Sequence, residues 1–223
     1  MMRHSRRSFT LIEIIVAISL IIVLASILLT VGVAVVANSE GKVTETTLTL
    51  LQSASREYSV MKDRDLTYGT PDDPFTGAQY ELVQTDFIDE NSVEVRQLLH
   101  DYYRIMFRAS SVKEILTKIE PEYVQRDDAT ADVEVIDVWD KRILVVLPGR
   151  EWTTTGNSYP RDIDNTIQTR LELRLGSCPN RQSFFVSAGP DGDFGDVSAA
   201  FDTSEYQLAQ DNLYSQRPLI PTP

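Results

Sequence analysis

IIVAISLIIVLASILLTVGVAVVA, residues 14–37, carries no charged side chain. About 20 apolar residues cross a bilayer core as a helix. A soluble helix of this length with no polar face is unusual. The run therefore reads as a membrane span. A secretory signal peptide has an apolar region of only about 7–15 residues followed by a small-x-small cleavage site. This run is longer, and Val36-Ala37-Asn38 is a weak cleavage candidate. Arg3, Arg6 and Arg7 precede the span with no acid among residues 1–8, whereas residues 38–223 hold a net charge of −14. Positive charge stays on the cytoplasmic side. The expected orientation is N-terminus in the cytoplasm and body outside. Glu13 sits at the edge of the run, where a carboxylate is costly and by default a functional hypothesis. Its plain alternative is an interfacial side chain reaching back to water.

The whole chain has 223 residues and a net charge of −12. That length suits one domain, or one domain plus an appendage. An acidic chain is a poor partner for phosphate backbones, so no nucleic-acid binding is expected. A single cysteine, Cys178, excludes an intramolecular disulfide and a multi-cysteine zinc site. The two histidines, His4 and His100, leave little for a triad, a dyad or a zinc centre.

Ser8-Phe9-Thr10-Leu11-Ile12-Glu13, after Arg6-Arg7 and before the apolar run, resembles the type IV prepilin leader motif. The resemblance implies a basic leader, residues 1–8, cut by prepilin peptidase between Ser8 and Phe9, and N-methylation of Phe9. Ser8 stands where the family usually has Gly. Cleavage would make Phe9 a new N-terminus with a positive amine. Glu13 is four residues on, one helical turn away, and its carboxylate suits both that amine and the positive end of the helix dipole. Such a pair in low dielectric is expensive to break. The family is understood to use it to stack subunits into filaments with their helices in register.

Beyond the span, Val43, Thr47, Leu50, Leu51, Ala54, Tyr58 and Met61 recur at spacings of three and four. Lys42, Glu45, Gln52, Arg56 and Glu57 fall on the other face. The spacing predicts one helix to about Lys62, about 70 Å long at about 1.5 Å per residue, locally weakened by Gly41. A membrane anchor with a separate juxtamembrane helix is the alternative. Asp63 to Gly77 reads as a loop. Asn91-Ser92 opens a second helical pattern, and Ser111 to Glu114 fits a capping box for a short helix to about Ile119, stopped by Pro121. Residues 92–119 read as a helical insertion that forms a contact surface, with His100 as a lone surface histidine. Strand signals lie at Val133 to Val138, Arg142 to Leu147, Thr169 to Leu175 and Gln182 to Ala188. A polar loop from Gly149 to Pro160 separates the second and third. Four strands suggest an antiparallel sheet with one face on the helix and one wet. Trp139 and Trp152 read as core or rim aromatics, Cys178 as a partly buried turn thiol, and the tail from Tyr214 as extended.

The expected architecture is thus α+β and pilin-like. A long N-terminal helix (9–62, membrane-spanning at about 14–37) packs on an antiparallel sheet of about four strands. A loop and helical insertion (63–130) precede the sheet and an Asp-rich loop (131–196), and a C-terminal tail (197–223) follows.

Three further stretches are similar to the major pseudopilin of type II secretion. Asp137-Val138-Trp139-Asp140-Lys141 resembles an Asp-x-Trp-Gly turn, with Asp140 in the place of Gly. Ser187 to Asp196 (SAGPDGDFGD) resembles the Ser-x-Gly-x-Asp-Gly loop, and Asp211 to Ser215 resembles the closing Asp-rich motif. The resemblance implies a structural Ca²⁺ held by Asp191, Asp193 and Asp196, with Ser187 and Asp211 as weaker candidates. Calcium takes six to eight oxygens from carboxylates, carbonyls and water. The loop is not an EF-hand, because its Gly is displaced and no Glu closes it. Equally, Gly-Pro-Asp-Gly is a good β-turn and its acids can simply be solvated. The function implied is a structural, non-enzymatic subunit of a type II secretion pseudopilus in the bacterial inner membrane. It would polymerise through N-terminal helices and work with prepilin peptidase, minor pseudopilins, membrane lipid and the inner-membrane secretion machinery. The alternatives are a type IV pilus pilin for adhesion, motility or DNA uptake, and a membrane-anchored extracytoplasmic binding or enzyme domain.

Overall fold

The computed structural model describes residues 11–67, 89, 92–126, 133–149 and 168–220. The leader with Ser8 and Phe9, the loop beyond Thr67, Asn91, residues 150–160 with Trp152, and the last three residues lie outside that range. The chain divides into two units, Met1–Glu40 and Gly41–Pro223.

Helix α1 is continuous from Leu11 to Lys62, 52 residues, with Gly41 inside it. In the first unit, every described side chain from Leu11 to Val36 is exposed.

In the second unit, α1 buries Thr44, Thr47, Leu48, Leu51, Gln52, Ala54, Ser55 and Tyr58. This face keeps Thr47, Leu51, Ala54 and Tyr58 of the expected one and is widened by Thr44, Leu48, Gln52 and Ser55. Met61 is exposed and Gln52, assigned to the polar face, is buried. The reason is a polar seam. Gln52 Nε2 donates to the Ser183 carbonyl at 3.0 Å, and its Oε1 accepts from Ser215 Oγ at 2.7 Å. Ser55 bonds Ser183 and accepts from the Tyr102 hydroxyl, both at 3.1 Å. Hydrogen-bonded in this way, polar groups are buried without the usual penalty.

Helix α2 (Val93–Arg108) starts at Ser92, whose hydroxyl accepts from the Val95 amide. Val95, Leu98, Leu99, Tyr102, Ile105 and Met106 are all buried. The segment expected as an appended contact surface is therefore part of the core. Helix α3 (Ser110–Leu116) follows with Ala109 as its N-cap and no side-chain cap bond, so the capping box read at Ser111–Glu114 does not form. Pro121 opens a 3-10 turn, Pro121–Tyr123, rather than a bare stop.

Strands β1 (Val124–Arg126) and β2 (Val133–Val135) form an antiparallel pair. Strands β3 (Leu144–Val146), β4 (Phe184–Ser187) and β5 (Leu213–Tyr214) form a second antiparallel sheet in that order. The fold is α+β with a long N-terminal helix, and among the described residues its larger sheet has three strands instead of about four. Among the described residues the expected wet face is also absent: Leu144, Val145, Val146, Phe184, Phe185 and Val186 are all buried. Successive strand residues point to opposite faces, so both faces of this sheet are covered. Tyr102 of α2 meets Phe185 edge-on at 5.8 Å.

The clean alternation at Thr169–Leu175 forms a helix, α4 (Arg170–Leu175), not a strand. Thr169 and Glu172 make a reciprocal capping box, and Leu171 and Leu175, one turn apart, are both buried. Glu172 also accepts from the Gly149 amide at 2.8 Å and the Cys178 amide at 3.0 Å. One buried carboxylate thus ties three segments. Helix α5 (Ser204–Leu208), capped by Thr203, lies in the stretch before Asp211.

Candidate functional site

Two places carry the residues singled out in the sequence. The first is the start of α1. Glu13 lies in its first turn and is exposed. Leu11 to Leu28 forms an 18-residue window of mean hydropathy 3.0, none of it buried. Its two hydroxyls are satisfied within the helix: Ser19 Oγ donates to the Ile15 carbonyl at 2.9 Å and Ser26 Oγ to the Ile22 carbonyl at 2.8 Å. That is what hydrocarbon requires of polar groups. The helix is long and apolar enough to span a membrane.

This geometry agrees with the comparison to known families. Residues 3–29 match the family described as Prokaryotic N-terminal methylation motif. The chain carries a prepilin-type leader. Such leaders belong to type IV pilin-like proteins, so a single-pass anchor cut by a prepilin peptidase is the coarse reading of this end. The match stops before residue 30, and no curated protein or solved structure matches the chain.

The second place is the loop after β4, built on a turn at Asp137. The buried Asp137 carboxylate accepts from the Trp139 and Lys141 amides through Oδ1, both at 2.9 Å, and from Ser187 Oγ through Oδ2 at 2.6 Å. Burial pushes its pKa up, against the pull of these hydrogen bonds. Asp140 holds φ at +60° where the resembled turn has Gly. Asp is among the non-glycine residues that tolerate this region, so the turn survives the exchange.

Ser187 is committed to Asp137 and to the Gly189 amide. Each loop acid then caps a backbone amide two residues on: Asp191 that of Asp193, Asp193 that of Gly195, and Asp196 that of Ser198. These are Asx turns. Asp196 also accepts from the Ser198 hydroxyl at 2.6 Å. Asp211 behaves differently. Its Oδ1 is buried with no hydrogen-bond partner. A Cβ on Gly189 would meet the Asp211 carbonyl at 2.7 Å and its Oδ2 at 3.0 Å. The Asp211 pKa is raised, first by burial and then by the charges of Asp191 and, less, Asp193.

The five candidate ligands thus separate. Asp191, Asp193 and Asp211 share one electrostatic neighbourhood, whereas Asp196 and Ser187 bond elsewhere. Among the described residues no three His, Cys, Asp or Glu side chains come together as a ready-made metal cage. The Asp211 carboxylate takes backbone hydrogen bonds at Asp191 and Asp211 but keeps Oδ1 unpartnered, a lone pair suited to a hard cation that would draw its other ligands from backbone carbonyls and water. Asn212 steadies the segment by donating to the Phe194 carbonyl at 2.8 Å.

Two other groups are placed by the structure. His100 is half-buried, with Nε2 2.7 Å from Glu134 Oε1; Arg142 Nε reaches Glu134 Oε2 at 2.8 Å. Burial raises the Glu134 pKa, but these two partners outweigh it and the net shift is downward. Cys178 is fully within the core, and burial pushes its thiol well up. Neither constellation resembles an activated nucleophile. The signal missed in the sequence was Thr169-x-x-Glu172, a capping-box pattern hidden inside a period-two alternation. Nothing local marked Gln52 for burial.

Proposed function

We propose that this chain is a pseudopilin-like subunit of a type II secretion system. It enters the inner membrane with its body outside, is trimmed at Phe9, and polymerises through its N-terminal helix into a short filament that supports protein export. It works by assembly, with no chemistry of its own. The observation that carries this reading is the methylation-motif leader running directly into an exposed apolar helix. Phe9 and Glu13 are the assembly residues. The new amine at Phe9 and the Glu13 carboxylate neutralise each other, within a subunit or between neighbours, which lets helices gather in low dielectric. Partners follow from that role: prepilin peptidase, other copies of this chain, minor pseudopilins and the inner-membrane machinery. We further assign a structural Ca²⁺ to the C-terminal loop, held by Asp191, Asp193 and Asp211, where it would neutralise three acids and stiffen the segment.

A surface pilus pilin is the second reading. The lone, buried Cys178 favours the first, because a C-terminal disulfide staple of the kind many such pilins use has no second cysteine here. The test is the intact mass and N-terminal residue of the protein extracted from its native membrane. A chain beginning at methylated Phe9 is expected. A chain still beginning at Met1 or Met2 would sink the filament reading and return the protein to simple anchored domains. Loss of protein export without loss of surface fibres in a deletion strain would then separate secretion from a pilus.

A further inference from the structure

Away from the acidic loop, an apolar pocket of about 310 Å³ opens where the end of α2, the end of α3 and β1 meet. Phe107, Leu116, Ile119, Pro121 and Val124 form its walls, and the exposed Thr117 and Arg126 complete its lining. The Thr117 hydroxyl is committed to the Glu114 carbonyl at 2.8 Å. Arg126 stands over the Phe107 ring, with Cζ 5.5 Å from the centroid. Among the described residues no carboxylate pairs with it, although the chain holds 33 acids against 21 bases. A guanidinium stacked on an aromatic face keeps its in-plane donors free for a carboxylate. The pocket also adjoins a strand edge. β1 pairs with β2 on one side and, among the described residues, with no strand on the other. The Tyr123 carbonyl accepts from the Ile136 amide at 3.0 Å, so Tyr123 faces β2. Backbone groups alternate sides along an antiparallel strand. The Val124 carbonyl and the Arg126 amide therefore face away from β2, and neither has a backbone partner among the described residues. The Val124 amide is satisfied by the Pro121 carbonyl. Val124 and Arg126, two residues apart, share the face of β1 that lines the pocket.

We propose that this edge receives an extended segment of a partner protein. The segment adds a strand to β1, seats an aliphatic side chain in the pocket beside Val124, and sets a carboxylate against Arg126. Residues opposite each other on paired strands lie about 4.5–5.5 Å apart, and same-face positions recur every second residue. The recognised pattern is therefore aliphatic-x-acidic. Main-chain bonds to the open edge supply affinity, while the pocket and the arginine select the side chains. A free acyl carboxylate would suit the pocket and Arg126 but leave the Val124 carbonyl and Arg126 amide unused, which favours a peptide. Residues 38–223 carry a net charge of −14, so the segment that fits is neutral apart from the acid aimed at Arg126.

The experiment uses the full chain in lipid nanodiscs. The probe is a fluorescent, end-capped peptide, Thr-Val-Thr-Leu-Thr-Glu-Thr, and its companions carry Lys in place of Glu or Ser in place of Leu. The wild type is expected to bind the Glu peptide about tenfold more tightly than either companion, as a charge-assisted hydrogen bond or a buried aliphatic side chain predicts. Binding should also slow amide hydrogen exchange at Arg126. Arg126→Glu should reverse the preference toward the Lys peptide. Thr117→Phe, which narrows the pocket and leaves the charge alone, should bring the Leu and Ser peptides to parity. If Arg126→Glu does not fold, Arg126→Gln carries the comparison, with the preference for Glu over Lys lost. No binding of the Glu peptide by the wild type would overturn the proposal, as would equal binding of the Glu and Lys peptides. Octanoate binding without peptide binding would overturn it in favour of a free acyl chain. A preference for Glu that survives Arg126→Glu would place the peptide elsewhere and overturn it as well.

Discussion

Two stretches of one helix obey opposite rules. Residues 11–28 of α1 are almost wholly apolar and wholly exposed, whereas residues 44–58 hold Thr44, Thr47, Gln52 and Ser55 among their buried positions. If hydrophobicity alone assigned burial, the two would be reversed. The difference teaches that burial follows the surroundings each stretch is built for. The first is apolar on every side because lipid surrounds it and demands only internal hydrogen bonding. The second meets a sheet whose edge offers carbonyls and hydroxyls. There a glutamine matched to Ser183 and Ser215 packs as securely as a leucine.

Paired truncations test this most strongly. Leu51→Ala should destabilise the body by about 2–5 kcal/mol through lost burial and a cavity. Leu24→Ala, the same change in the exposed stretch, should leave the unfolding of the body unchanged in chemical denaturation. Equal effects would erase the distinction. The complementary change is Ile21→Arg. A charge at the centre of a span costs about 2.5–3.5 kcal/mol on insertion scales, so the variant should shift from the membrane fraction to the soluble or aggregated one, while its body keeps the wild-type melting profile.

A smaller effect is expected at the polar seam. Gln52→Ala removes one donor from the Ser183 carbonyl, which keeps Gln216, and the acceptor of the Ser215 hydroxyl, whose oxygen keeps the Phe185 amide, and should cost about 0.5–1.5 kcal/mol. A neutral result would show that water replaces the amide and that the seam is not a dry contact. The mildest test is a pH profile at Asp137, which is buried but hydrogen-bonded. Its folded pKa lies above the ordinary 3.8. The folded state therefore binds the proton more tightly than the unfolded one. The stability this group contributes is fully present below the unfolded value and is lost as pH rises through the raised folded one. Asp137→Asn should flatten that part of the stability profile on the acid side. An unchanged profile would assign the slope to other carboxylates.

How much of this was legible depended on the range of the forces involved. The single helix to Lys62, the helix starting at Ser92 and the strands around 133, 144 and 184 were all legible, because each rests on local periodicity and caps. Thr169–Leu175 was misread because a period-two alternation and a one-turn helix place Leu171 and Leu175 on one face equally well. The capping box and the long-range bonds of Glu172 to Gly149 and Cys178 decided between them. The 92–119 segment was misjudged in role, not in form: amphipathicity tells that a face is covered, not by what.

The site divides in the same way. The sequence by itself determined the leader, the apolar helix and the acidity of the terminal loop, because processing signals and solvent preference are written in consecutive residues. Only the tertiary structure decided that Ser187 serves Asp137, and that Asp211 keeps a bare oxygen within the influence of Asp191 and Asp193. The Ser187–Asp137 pairing joins residues 50 positions apart. Hydrogen bonds and charge contacts of a few ångströms carry no trace in the chain until folding brings their partners together.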